Sequence, residues 1–316
     1  MASIFTKMSM KPRKEILVAV ADIYQPLRRL LYENYGSYWA QERSFYGEAL
    51  LAVCALAEGS HKHAQLMLQE HKKRLKASLP YRQHHEFHWY AFSCLSLEQQ
   101  RELESAGVWS RFPDPIREKP TNWLIMRLFI VQRKGGVLLR LAAAPVLWLL
   151  LLVNQQPSGL IMDRRIGRML KGDRSEEYCS HQYHTYMTML LCDFCEGLGG
   201  RLLRGRLVRA IKYVGTSIAP GGSMPIVARG RGAHQIFGYG ALMYIYAKTE
   251  RYADLLKVVK YMKNFQERDG SIPLVLLSNP AERVDYWESY NNHFDYLAFV
   301  LFVCMRVQLL LRTRQR

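Results

Sequence analysis

Acidic residues are scarce in this chain. Over 316 residues, 27 Asp and Glu stand against 44 Lys and Arg, leaving a formal net charge of +17. Such an excess attracts a polyanion at long range. No helix-turn-helix, zinc-finger or single-strand-binding signature accompanies it, so no specific nucleic-acid partner is expected. An acidic polysaccharide or oligosaccharide and an anionic membrane surface fit equally, and a basic surface with no specific partner stays open beside them. Cysteine is sparse and unpatterned: Cys54, Cys94, Cys179, Cys192, Cys195 and Cys304 show no disulfide-framework spacing. Most lie in apolar helical context, where a free thiol acts as a small hydrophobe. Cys192 and Cys195 lack a second Cys/His pair at zinc-finger spacing, so neither metal nor cofactor is expected.

Long apolar runs are missing too. The stretch from Met1 to Lys7 lacks the apolar core of a secretory signal, and the expectation is a cytoplasmic protein. Leu141 to Val153 is thirteen residues without a charge, short of the roughly 20 that a membrane-spanning helix needs. The hydrophobic segment 137–153 is therefore expected to be a buried helix or a peripheral membrane contact. Sustained period-two alternation is absent, which argues against a sheet. No Gly/Ser or Pro linker divides the chain, so residues 1–316 are expected to form a single domain, long enough to bury a large core.

What is present is helical pattern punctuated by Gly and Pro. Helices are expected to begin near Lys14, Tyr38, His61, His84, Leu97, Asn122, Val137, Leu160, Cys179, Arg201, His234, Tyr252 and Tyr286. Two kinds alternate. Lys62–Lys76 and Tyr252–Glu267 carry a charged solvent face, whereas Phe45–Ala57 and Ile236–Ala247 are small and aromatic, as if buried all round. Polar turns also recur. Ala219-Pro220-Gly221-Gly222-Ser223 and Arg268-Asp269-Gly270-Ser271 each lead toward a helix start rich in His, Asn, Gln and Tyr, and Gly172-Asp173-Arg174-Ser175 is a more degenerate third copy. Repeats of this period indicate stacked helical hairpins. The expected fold is all-α: an (α/α)5-6 toroid, or incomplete helical barrel, with buried inner and amphipathic outer helices.

Residues three and four apart share a helix face. His181 and His184 thus align, as do Arg231, Gln235 and Tyr239, and Asn292 and Tyr296. Capping explains Asn291 and Asn292 equally well, and aromatics at this spacing are usually core. Their recurrence at equivalent hairpin positions favours a shared cleft. β-Elimination from a uronic acid needs a neutral amide or Arg on the carboxylate, a base for the C5 proton and an acid for the leaving oxygen. Asn122, Gln235, Asn292 and Arg231 supply the first, His181, His184 and His293 the second, Tyr186, Tyr239 and Tyr296 the third. Nineteen tyrosines and six tryptophans add rings that stack on sugars.

Thr121-Asn122-Trp123, the His181–Tyr186 helix and Val227-Ala228-Arg229-Gly230-Arg231 resemble the Asn-Trp, His…Tyr and Arg-Gly-Arg motifs of α/α-toroid polysaccharide lyases of the hyaluronate and chondroitin type. Asn291-Asn292-His293 is similar to an alginate lyase motif, and Ser180…Tyr183-His184 to heparinase-like toroids. The resemblance implies carboxylate neutralisation by Asn122 in an Asn122-Trp123 pair, a base in His181 or His184, an acid in Tyr186 or Tyr239, and substrate binding by Arg229 and Arg231. The function expected is metal-independent lyase action on an acidic, uronate-containing polysaccharide. Two alternatives stand beside it: a toroid glycoside hydrolase using carboxylates such as Asp173 and Glu288, and a non-catalytic binder of anionic glycan or membrane.

Overall fold

The computed structural model describes residues 10–33, 35, 44–105, 120–164, 180–225, 235–276 and 293–313. Among them are thirteen α-helices and no strand, only isolated bridging. They are α1 (Met10–Glu33), α2 (Gly47–Ala57), α3 (His61–Ala77), α4 (Leu79–Gln83), α5 (His85–Ser93), α6 (Leu97–Ser105), α7 (Thr121–Lys134), α8 (Val137–Asn154), α9 (His181–Phe194), α10 (Arg204–Thr216), α11 (Gln235–Lys248), α12 (Tyr252–Lys263) and α13 (His293–Thr313). Local chemistry sets several starts. The Ser180 hydroxyl accepts from the Tyr183 N–H at the head of α9. Ser96 and Gln99 exchange backbone-to-side-chain bonds at the head of α6, a reciprocal capping box.

The expected alternation is real. Helices α2, α5, α7, α9, α11 and α13 each pack on the next, and α13 returns to α2. They form a closed inner ring of six. Outside it, α3 packs on α2, α8 on α7, α10 on α9, α12 on α11, and α1 spans α12 and α13. Gln100 of α6 donates to the Ser93 and Leu95 carbonyls at the end of α5. The inner helices α9 and α11 are buried along nearly their whole length, whereas α3 hides little besides Ala64, Met67 and His71. Aromatic side chains fill the middle of the ring. Tyr46 stacks on Phe87 at 4.4 Å, Phe87 on Tyr186 at 5.8 Å, and Tyr186 and Phe299 both meet Phe237. Four inner helices and the residue capping a fifth thus share one ring cluster, each ring contributing area that is costly to expose.

Hairpin alternation makes all six inner helices run the same way. Their last turns gather at one end around a cavity of about 520 Å³ bordered by Ala57, Cys94, Arg133, Glu196, Lys248 and Thr313. Its floor is a buried network. Arg306 donates to Asp193 (2.8 Å), Tyr90 (2.6 Å) and Tyr244 (2.6 Å), and both phenols donate to the Asp193 carboxylate. Burial alone would raise the pKa of Asp193, but the Arg306 guanidinium and these donors hold it below the usual carboxylate range.

Two sequence expectations are corrected. No helix begins within residues 160–164, and residues 165–179 lie outside the described residues: the chain turns at Pro157–Gly159, and Gln155 and Ile161 bridge antiparallel, with the Met162 N–H bonded to the Asn154 carbonyl. A Pro-Ser-Gly run favours that turn over a helical nucleus. Near His84 the helix is split, with α4 ending at Gln83 and α5 starting at His85. The starts expected at Tyr38 and Tyr286 lie outside the described residues.

Asp193→Ala strands the buried Arg306 charge in helices that close the ring. The expected outcome is a loss of roughly 3–5 kcal/mol, read from urea unfolding midpoints; a change within experimental error would show that the network does not hold the ring.

Candidate functional site

The first turns of the inner helices meet at the other end of the ring, and the repeated sequence turns explain how they are braced. In the Gly222 turn, the Gly222 N–H bonds the Ala219 carbonyl and the Ala219 N–H bonds the Ser223 carbonyl. In the Gly270 turn, Gly270 bonds Glu267 and Glu267 bonds Ser271 in the same pattern. Both glycines sit at φ +95°, a conformation L side chains avoid. Each turn then presents a carbonyl to the first residue of the next inner helix. The Gln235 amide donates to Met224 O at 2.9 Å, and His293 Nε2 donates to Ile272 O at 2.7 Å. Gln235 also accepts from the Leu276 N–H at 2.7 Å, and Gln182 reaches Pro225 O. The recurrence of polar residues at helix starts is thus a repeated brace between loops and ring.

Most side chains proposed for chemistry are committed in this way. His184 is fully buried; its Nδ1 accepts from the Ile161 N–H at 3.0 Å and its Nε2 donates to the Ala210 carbonyl at 3.2 Å. That fixes a neutral tautomer with no lone pair for a substrate proton. Burial pushes its pKa down to about 3. Tyr186 lies in the aromatic centre with its hydroxyl on the Met126 sulfur at 3.0 Å. Tyr239 accepts from the Met224 N–H at 2.6 Å while its ring stacks on Tyr261, and burial raises its pKa. Tyr296 is buried against Phe237. Neither base chemistry by His184 nor acid chemistry by these tyrosines fits such surroundings. Arg229, Arg231 and Asn292, with Asp173 and Glu288, lie outside the described residues.

His181 breaks the pattern. It is the first residue of α9, the position that Gln235 and His293 hold on α11 and α13, yet it braces nothing. Its ring lies flat on Tyr213 at 5.7 Å, and its buried Nδ1 has no partner among the described residues. The imidazole is half-buried, which lowers its pKa. Burial thus favours its neutral form. The neighbouring wall is α7. Segment 161–164 runs between the two helices: Ile161 is held by His184, the Asp163 carboxylate accepts from the Asn122 N–H at 3.1 Å, and Thr121 and Arg164 exchange two bonds. Asp163 thus caps α7 across the chain. Asn122 turns its carbonyl oxygen to the Trp123 N–H at 2.7 Å. Trp123 is half-buried, its indole 5.1 Å from His84 and 5.8 Å from Phe87.

Three residues at this end escaped sequence reasoning. Arg127 is buried and bonds the Glu86 carboxylate at 2.6 Å, with its Nη2 3.3 Å from His85. The available signal was a lone arginine in an apolar helical run, which needs a buried anion. Glu86 is consequently an ion-pair partner. Asp163 and Tyr213 carried no signal, since their roles come from segments distant in sequence.

No protein-family model matches the chain, and no curated protein does. Among solved structures the chain is similar to a polysaccharide lyase, with a TM-score of 0.55 and 13% identity, over 94% of this chain and 98% of that one. At such identity the likeness is one of fold, and it extends over nearly the whole length of both chains.

His184 also gives a pH test. Its folded pKa, about 3, lies below its ordinary 6.5, so the unfolded chain takes the proton first. The stability it contributes is complete above pH 6.5 and is lost as pH falls toward 3, by up to about 1.4 kcal/mol per pH unit. His184→Gln keeps one acceptor and one donor without titrating. Urea unfolding of both proteins from pH 7.5 to 5 is expected to show the wild type losing ground on acidification relative to the variant. Parallel curves would contradict a buried neutral imidazole.

Proposed function

We propose that this protein is a carbohydrate-active enzyme that cleaves an acidic, uronate-containing polysaccharide by β-elimination, at the end of the ring where the inner helices begin. The observation that supports this reading is His181: alone among the three equivalent helix-start residues, it keeps an imidazole that no loop carbonyl among the described residues occupies. The fold likeness to a polysaccharide lyase and the net charge of +17 support it.

In this mechanism a uronyl ring lies along Trp123, whose indole offers an apolar face to the sugar. The side-chain amide of Asn122 donates to the substrate carboxylate, so that negative charge developing there as the C5–H bond breaks is stabilised. Neutral His181 takes the C5 proton. The electron pair left at C5 forms the C4=C5 double bond as the C4–O bond breaks, and the leaving oxygen takes a proton from the Tyr213 phenol, which lies against the His181 ring. Products are an unsaturated uronyl end and a new reducing end. Proton transfer and carboxylate stabilisation of this kind are each worth about 10² or more in rate.

The test is an ultraviolet scan of the purified protein against alginate, pectate, hyaluronan, chondroitin and heparin, with reducing ends counted in parallel. Absorbance rising together with reducing ends is expected, and His181→Ala and Asn122→Ala should each lower turnover by about 10² or more while far-ultraviolet circular dichroism stays unchanged. Reducing ends without absorbance would replace elimination by hydrolysis. Wild-type rates in both variants would move the site elsewhere.

A further inference from the structure

The outer helices shield the ring from water, and five of them turn charged residues outward. Helix α8 does not. Its outward stripe is Leu138, Leu141, Val146, Leu149, Leu152 and Val153, from 48% to 82% exposed. Its other side is anchored: Ala143, Ala144, Leu147, Leu150 and Leu151 are buried, and buried Asn154 donates to the Leu150 carbonyl. The helix is therefore apolar on the face that packs and on the face that meets solvent.

Neighbouring elements extend the patch. Leu198, Leu202 and Val208, between 45% and 65% exposed, come from the segment that leads into α10 and from α10 itself. They adjoin α8 because Gln155, next after its last residue, donates to the Arg206 carbonyl, Arg206 covers the Trp148 ring at 5.6 Å, and Gly199 fits against Ala144. One continuous apolar surface results, far from a scatter of single exposed residues. Basic side chains border it. Arg140, Arg201, Arg204, Arg209 and Lys212 are exposed and Arg206 is half-buried. Acids are missing: neither residues 137–162 nor residues 197–249 contain an Asp or Glu.

We propose that this face docks the protein onto an anionic lipid bilayer, with α8 lying in the interface and the arginines of α10 and its leading segment among the headgroups. Charge selects this occupant. Apolar side chains enter the acyl boundary and a cationic border meets anionic headgroups, the pairing of an interfacial helix. A second copy of the chain would set two identical cationic borders against each other. A spanning orientation would tear the buried side of α8 from α7 and α10, and with it the Asn154–Ile161 hairpin that holds the His184 wall.

Extruded vesicles separate these cases, using the full chain and co-sedimentation. Strong binding to phosphatidylcholine mixed with phosphatidylglycerol is expected, weakening as salt rises, with little on phosphatidylcholine alone. Arg201→Glu/Arg204→Glu and Leu138→Ser/Leu149→Ser should each lower the partition coefficient by on the order of tenfold. These side chains are exposed, so unchanged thermal melts are expected to accompany the loss. Equal binding to both vesicle types, unaltered variants, or no binding would overturn the proposal. So would retention in the membrane after alkaline carbonate, which marks a span, or a dimer in solution that Leu149→Ser dissolves, which marks self-association.

Discussion

A ring of helices exists only if its last member meets its first, and here that closure rests on one carboxylate. Asp295, on the first turn of α13, accepts from the Phe45, Tyr46 and Gly47 N–H groups, with the Ser44 hydroxyl 3.0 Å away. It caps α2 from some 250 residues away. The N–H groups at the start of α2 have no partner within their own helix, and water cannot reach them, so a residue of another helix must supply one. The arrangement is tense in charge. Burial, and the nearby Glu48 carboxylate, push the pKa of Asp295 up to about 7. Glu48 in turn is held by Arg74 at 2.9 Å and by Ser44 and Tyr35. The first and last inner helices are joined through this polar knot at one end and lean on the Arg306 network at the other.

Closure explains the character of the rest. A helix inside the ring has neighbours on every side and is apolar all round; one outside has a single packed face. Once the inner helices are parallel, their first turns and the loops before them are forced together, and buried loop carbonyls need donors. Gln182, Gln235 and His293 are those donors. The polar first turns are a requirement of the architecture before they are a cleft.

The fold was therefore readable from the chain, because alternating helix character and the Gly-Ser turns are local properties. The two turns even reproduce each other's hydrogen bonds. The chemistry was less readable. Sequence spacing placed His181 and His184 on one face, but it could not show that Ile161 and Ala210, from two other segments, occupy both nitrogens of His184 and neither of His181. Recurrence at equivalent positions pointed toward function; the same recurrence follows from a repeated brace, and only a member that departs from the brace is informative. Apolar runs were ambiguous for a similar reason. Both α8 and α13 have the hydropathy of a membrane segment, yet 78% of the α13 window is buried and 33% of the α8 window. Position in the ring decides this, and composition does not show position.

The departures from the architecture lie close together. Helix α8 runs from the cavity end of the ring toward the end where the inner helices start, and its last residue opens the hairpin that delivers Ile161 to His184 and Asp163 to Asn122. The apolar outward face and the unbraced imidazole thus border residues 137–164 and the start of α9. A toroid needs neither feature to fold: a charged outward stripe on α8 would serve solubility better, and a bonded His181 would serve the brace better. Each costs something that packing does not return. Two such costs on opposite sides of one wall are economically explained if the wall works as a unit, with lipid on its outer side and an acidic glycan at its rim.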